Sequence, residues 1–465
     1  MSEVEDLKNK LFRSKKSGWE IVDDTRRGEI NKFCDEYMYF LNNSKTEREI
    51  IKSAKKMADE NGFRNIEECN ELREGDKVYY INREKSMYLA VIGKEPMENG
   101  INIIGAHADS PRLDLKPNPL YEDTGLAYLK THYYGGIKKY QWTTIPLAIH
   151  GVFVKANGEK IEVTIGEDEQ DPIFTITDLL PHLAQDQMQR KLNEGVKGEE
   201  LNLLVGSIPY ASGVDAVKLN IMNILNQKYG IVEKDFVSSE IELVPAFKAR
   251  SMGFDSSMVA AYGQDDKICV FTSVRALLEI HNPSRTAVCI IADKEEIGSM
   301  GNTGMESHVF DTFISELLNK QGVNKPNLLD KVFCKSKMLS ADVDAAYDPI
   351  YASAFEKNNS GYLGRGLGLN KYTGARGKSG ASDANAEFVA EIRGILEREN
   401  VQYEVSELGK IDVGGGGTIA YILADKGIDV IDAGVPVLSM HAPYEVTSKF
   451  DVYEAYRAYK VFWNN

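Results

Sequence analysis

The sequence predicts an α/β protein with a mostly parallel central sheet flanked by helices and an inserted β-rich domain. Three observations predict it. From Thr286 onward, short apolar runs alternate with segments of helical periodicity, the pattern of strands covered on both faces by helices. Between Pro117 and about residue 243 that texture gives way to short strands and turns. The 465 residues exceed what one ordinary core holds, so two or three domains are expected. The boundaries fall at 1–116, 117–243 and 244–465, the outer two stretches forming one domain around the middle one.

Residues 1 to about 78 read as mostly helical, with apolar residues at three- and four-residue steps over Asp24–Leu41 and Thr46–Asn61. Tyr79–Ile81 and Met87–Gly93 read as paired strands around the turn Asn82–Ser86. The apolar run Ile101–Ile104 is a buried strand that stops at Gly105-Ala106-His107. In the middle stretch, strands are expected at Leu126–His132, Leu147–Val154, Lys160–Ile165 and Glu240–Val244, and helices at Asp186–Leu192 and Asp215–Lys228. The larger domain resumes by Asp265 with a helix over Lys267–Ile280. Then follow strand Thr286–Ala292, helix Met305–Leu318, a strand end at Lys337–Ser340 and a helix over Ala384–Glu399 that Ser382-Asp383 can cap. Helix Thr418–Lys426, strands Val430–Ala433 and Val435–Met440, and helix Val452–Asn464 complete the chain.

Composition narrows the function. A formal net charge of -15 disfavours nonspecific binding to nucleic acid or to anionic membranes, which both need a basic surface. No apolar run reaches transmembrane length, and the charged start lacks a signal-type apolar core, so a cytoplasmic protein is expected. The five cysteines are odd in number and widely spaced without Cys-x-x-Cys, which reads as reduced thiols.

The chemistry lies where apolar runs end. His107 follows the first strand of the larger domain's core, and open α/β sheets bind ligands at such carboxyl ends. Asp109, two residues on, can fix the imidazole tautomer. Asp265-Asp266 opens a helix; Glu295-Glu296, Asp342 and His441 each follow an apolar strand. Singly, each has an ordinary reading: helix-start acids favoured by the dipole, a solvated acidic pair, a turn former, a core histidine. Jointly they form a histidine and carboxylate set suited to zinc, manganese or cobalt. With one bridging carboxylate, five such ligands serve two metals about 3.5–4 Å apart. In an adjacent acidic pair, one residue can ligate while the other acts as a base. Gly414–Gly417 lacks the companions of a phosphate-binding loop and reads as close backbone approach at the site's rim, and Gly374–Gly380 as a mobile loop.

Gly105-Ala106-His107-Ala108-Asp109-Ser110-Pro111, Lys294-Glu295-Glu296-Ile297-Gly298, Ser340-Ala341-Asp342 and Ser439-Met440-His441 together resemble the aspartyl aminopeptidase/aminopeptidase I family of dinuclear zinc exopeptidases. The motifs keep their order over nearly the whole chain. The resemblance implies a zinc exopeptidase-like catalytic domain over 1–116 and 244–465, and a dimerisation domain over 117–243. It implies two zinc ions per subunit, with Asp265 bridging, His107 and Asp342 on one ion, and Glu296 and His441 on the other. Glu295 is then the general base and Asp109 the partner of His107. It further implies homodimers assembled into a tetrahedral dodecamer, with His182 of Pro181-His182-Leu183 reaching a neighbour's site. The segment Lys371-Tyr372-Thr373 resembles a substrate-side lysine segment, making Lys371 and Tyr372 substrate-binding candidates. Trp142-Thr143-Thr144-Ile145-Pro146 lacks the Asp-Arg pair of the family's eukaryotic members, so acidic and neutral N-terminal residues both stay open as preferred. The expected activity is release of single N-terminal residues from peptides. Two other readings remain: a related dinuclear amidase or deacylase of small N-acyl compounds, and a metal-free assembly or cargo protein that keeps the fold.

Overall fold

A computed structural model describes residues 3–13, 16–323 and 325–465. Its centre is a nine-stranded sheet whose inner strands, in spatial order, are Ala287–Ala292, Asn102–His107, Lys337–Ser340 and Asp429–Gly434. These four run parallel. Their residues alternate between two cores, because successive side chains of a strand face opposite ways. Ile104, Leu339 and Ile431 enter one core, and Ile103, Met338 and Val430 the other. The first core packs helices Asp24–Asn43, Glu47–Glu60, Gln264–Leu278, Ala386–Arg398 and Lys449–Trp463. The second packs Val309–Lys320, Leu328–Phe333 and Ala420–Ala424.

The sheet as a whole is mixed, which corrects the expectation of a mostly parallel one. Strand Ser86–Val91 runs antiparallel both to Lys77–Asn82 and to Ala287–Ala292, and Leu367–Asn370 runs antiparallel to Asp429–Gly434. The physical reason lies in the connections. A short turn after Asn82 can only reverse the chain, so the hairpin read from the sequence forces an antiparallel edge. On the other edge, Leu367–Asn370 and Tyr403–Ser406 are strands of only four residues, too short for periodicity to disclose.

A six-stranded antiparallel sheet is built from residues 112–245, with strand Arg112–Asp123 among them. That strand has no counterpart among the expected elements: Pro117, Pro119 and five charged side chains mask it, and its register against Leu126–Tyr134 is interrupted between Leu115 and Leu120. Its core, with Trp142, Leu147 and Leu243, is separate from the other two. A third, five-stranded sheet joins Met258–Ala261 and Glu445–Ser448 and carries the chain to the site. Smaller shifts occur elsewhere. The helix at Ala386 has Asn385 as its N-cap without a side-chain bond, and Asp383 instead pairs with Lys371 and Lys378.

The six-stranded sheet is tied to the helical layer through Arg112. Its buried guanidinium lies 2.8 Å from Asp114, 3.1 Å from Glu242 and 3.5 Å from Glu47, over the Tyr134 ring at 3.9 Å. Breaking a buried ion cluster from one side leaves uncompensated charge. Arg112→Met is therefore expected to lower unfolding free energy by about 3–5 kcal/mol. Chemical denaturation checks this, and an unchanged midpoint would refute the role given to the cluster.

Candidate metal centre

The four inner strands end on one edge of the central sheet, and the site is assembled there. His107 is the last residue of its strand, in register with Ala292. The chain beyond Ala292 reaches Glu295-Glu296, and the chain beyond Ser340 reaches Asp342. His441 arrives through the short strand Pro436–Leu438. Asp265 enters from the third sheet, just after Met258–Ala261 and before the helical turn that begins at Lys267.

These residues converge. His107 Nε2 lies 3.3 Å from Asp265 Oδ1, 3.7 Å from Asp342 Oδ1 and 3.9 Å from Glu295 Oε2. On the other side, His441 Nε2 lies 3.2 Å from Asp265 Oδ2 and 3.5 Å from Glu296 Oε1. One oxygen of Asp265 thus faces each histidine. Two groupings of metal-ligand type result, His107/Asp265/Asp342 and Asp265/Glu296/His441, and a third, His107/Glu295/Glu296, overlaps them.

Several atoms here fit a cation. His107 Nε2, Asp265 Oδ1 and Glu296 Oε1 are buried with no hydrogen-bond partner among the described residues, and such orphans are costly unless a ligand serves them. Both imidazoles are oriented for it. The Nδ1–H of His107 donates to the Asp109 carbonyl at 3.0 Å, and that of His441 to the Gly136 carbonyl at 2.8 Å. A carbonyl can only accept, so each ring keeps its Nε2 lone pair for the site. Burial pushes the Glu295 carboxyl up to about 8, and raises Glu296 and Asp342 as well. Burial acts on Asp265 too, but His107 and His441 hold it below the ordinary carboxylate range. A cluster this dense in buried carboxyls favours divalent cations, which let all of them ionise.

Two buried acids fix the backbone that carries these groups. Asp109 is fully buried, and its carboxylate accepts from the backbone N–H of Glu295 and of Glu296, both at 3.1 Å, and from the Tyr134 hydroxyl at 2.9 Å. The expected carboxylate link to His107 is longer, 3.4 Å, than the bond through the Asp109 carbonyl. Glu445 was not singled out from the sequence. Its two oxygens accept from the backbone N–H of His441 at 2.7 Å and of Asp265 at 3.1 Å. The signal was an acid four residues after His441, but the role depends on Ala261 pairing with Glu445 across strands. His441 and Lys294 both take left-handed backbone conformations, φ 64° and 65°, of the kind that accumulates at functional sites.

A cavity of about 440 Å³ opens over the cluster. Asp265, Glu295, Glu296, Asp342 and His441 line it, and so do Gly415–Gly417. A Cβ on Gly414 would meet the Leu408 carbonyl at 2.0 Å, so the glycine run is a close backbone approach at the rim. Thr373 lines the cavity, whereas Lys371 and Tyr372 are not among its lining residues; Lys371 pairs with Asp383 at 3.0 Å, and the Tyr372 hydroxyl donates to Glu407. His182 lies exposed in a turn of the inserted stretch and is not among the lining residues either.

Residues 40–463 match the family model described as aminopeptidase I zinc metalloprotease (M18). A Clostridium acetobutylicum protein named as a probable M18 family aminopeptidase 1 is 52% identical over 465 residues, covering 99% of this chain and 100% of its own length. The crystal structure of an M18 aminopeptidase from Thermotoga maritima superposes with a TM-score of 0.94 at 46% identity, covering 97% of this chain and 100% of that one. At 20% identity, the S. cerevisiae mApe1 dodecamer shares the fold, with a TM-score of 0.74 over 92% of this chain and 95% of its own.

Removing the Asp109 carboxylate frees the turn that holds Glu295 and Glu296. Asp109→Ala is expected to weaken zinc binding about 10–100-fold, as loss of a supporting partner does at other metal sites. Titration against a competing chelator measures this, and wild-type affinity in the variant would contradict the clamp.

Proposed function

The chain belongs to the aminopeptidase I family of M18 zinc metalloproteases and is a zinc-dependent aminopeptidase, and we propose that it releases single N-terminal residues from peptides with two zinc ions held around Asp265. The observation that carries this reading is the Asp265 carboxylate, with one oxygen toward His107 and the other toward His441. His107 and Asp342 complete one ion's protein ligands, and Glu296 and His441 the other's. When bound, zinc supplies Lewis acidity to the scissile carbonyl and makes water a nucleophile near neutral pH.

Glu295 does the proton work. It lies outside both groupings that contain Asp265, on the cavity wall, with its backbone held by Asp109. Its carboxylate takes a proton from the attacking water and delivers it to the departing amine nitrogen, as the C–N bond breaks to leave a free amino acid and a shortened peptide. In this reading the first substrate residue enters the cavity lined by Gly415–Gly417 and Thr373, and the rest of the peptide stays outside. Release from unblocked but not from N-acetylated peptides separates this activity from amidase or deacylase action.

The stretch 117–243 acts in this reading as the dimerisation domain of a homodimer that builds a tetrahedral dodecamer. Its exposed apolar side chains support that role: Ile173, Leu183, Met188, Leu192, Ile208 and Val214 are each more than half exposed. Among the described residues no helix is long and apolar enough to cross a membrane. Together with the free cysteines this supports a cytoplasmic site of action.

Glu295→Gln keeps the shape of the side chain but cannot take the water's proton. It should retain its zinc and lose about 10²–10⁴ in kcat; near-normal turnover would remove Glu295 as the base. The exposed His182 is proposed to donate to the developing oxyanion in a neighbouring subunit, where one such donor contributes about 10²–10³ in kcat. His182→Ala should be nearly inactive alone, yet regain activity when subunits are exchanged with Glu295→Gln, because mixed dimers contain one site with both groups intact. Confirmed mixed dimers without activity would contradict action across subunits.

A further inference from the structure

Lys294, next in the chain to Glu295, lines a second cavity, of about 530 Å³, that the reaction above does not use. We infer that this cavity binds a phosphate group, free or as the monoester of a small molecule, between Lys294 and Arg83. The site stands apart from the metal centre, and its ligand does not depend on the aminopeptidase reading.

The charge balance carries the argument. Arg48, Arg83, Lys85, Lys160 and Lys294 line the cavity against two carboxylates, Glu84 and Glu240, in a chain whose net charge is -15. Both carboxylates are already shared. Glu84 lies 2.7 Å from Arg48 and 2.7 Å from Lys160, and Glu240 lies 2.8 Å from Lys85 and 2.9 Å from Arg48 Nε. Glu47, 3.6 Å from Lys85, is shared with Arg112. That leaves Arg83 and Lys294 without a carboxylate among the described residues. Arg83 donates to a neutral acceptor, Asn82 Oδ1, at 2.7 Å, and the Lys294 ammonium makes no hydrogen bond or ion pair among the described residues.

The backbone is strained where these two cations are presented. Arg83 and Glu84 have φ 53° and 62°, at a hairpin turn where Asn-Gly is the favoured pair, and Lys294 has φ 65°. Long charged side chains are costly in the left-handed region, and such outliers gather at ligand sites. The two elements are also tied together: Asn82 Nδ2 donates to the Asn302 carbonyl at 2.8 Å, and Asn302 lines the cavity with Lys294. Arg83 and Lys294 thus border one space from supports fixed to each other.

A phosphate monoester carries nearly two negative charges at neutral pH and three acceptor oxygens, which matches two unpartnered cations. The guanidinium fork can take two of those oxygens at once, and the ammonium serves as a point charge. A carboxylate brings one charge and is the poorer match. The cavity's volume leaves room for an organic group beside the phosphate.

The test is isothermal titration of the zinc-loaded full chain at neutral pH with inorganic phosphate and, separately, with glycerol 2-phosphate. Arg83→Gln and Lys294→Gln should each weaken binding about 10–100-fold, the size of a charge-assisted hydrogen bond. Neither side chain pairs with a carboxylate, so the ligand-free variants should keep the wild-type Tm. Glu84→Gln should tighten binding, because it releases Arg48 and Lys160 to the anion; a merely structural disturbance would not improve it. Tighter binding of the ester than of free phosphate identifies a phosphorylated small molecule, and the reverse identifies phosphate itself. Absence of saturable binding in the wild type overturns the inference. So do equal affinities in the wild type, Arg83→Gln and Lys294→Gln, the result expected of phosphate held by zinc instead.

Discussion

The constraint on which the rest of the structure depends is the placement of Asp265 between two histidines. Its carboxylate is buried, with His107 at 3.3 Å from one oxygen and His441 at 3.2 Å from the other. A carboxylate in that position has no hydrogen-bond donor of its own to balance it. Both imidazoles turn Nε2 toward it, because backbone carbonyls of Asp109 and Gly136 take the opposite ring nitrogens, so lone pairs face the carboxylate and a cation between them is what balances the cluster. The Gly136 carbonyl comes from the chain just after strand Leu126–Tyr134 of the six-stranded sheet, so that sheet takes part in orienting a ligand candidate.

Around this pair the chain is held by backbone contacts more than by side-chain packing. Asp109 grips two successive amides of the Glu295 turn, and Glu445 grips the amides of Asp265 and His441. Gly434 lets Asp342 pass: a Cβ there would lie 1.4 Å from the Asp342 carbonyl. Each of these contacts positions a group whose own side chain is free to face the cavity. The result is a preorganised cluster in which Glu295 is fixed at its backbone but outside the groupings around Asp265, the arrangement a proton-transfer group needs.

The central strands and the residues at their ends were legible in the sequence because burial on both faces makes continuous apolar runs, and the break after each run marks the functional edge. His107, Asp342 and Glu295-Glu296 were found in this way. The mixed character of the sheet was not legible. Leu367–Asn370 and Tyr403–Ser406 are too short for a periodic signal, and Arg112–Asp123 is disguised by two prolines. Glu445 was missed because its role comes from pairing across strands far apart in the chain.

The central claim is that one carboxylate is shared by two metal ions. It is tested most directly by anomalous diffraction at the zinc edge from crystals of the zinc-loaded protein. Two peaks per chain are predicted, one beside each oxygen of Asp265, the first within bonding distance of His107 Nε2 and the second of His441 Nε2. A single peak, or two peaks that do not share Asp265, would contradict the account.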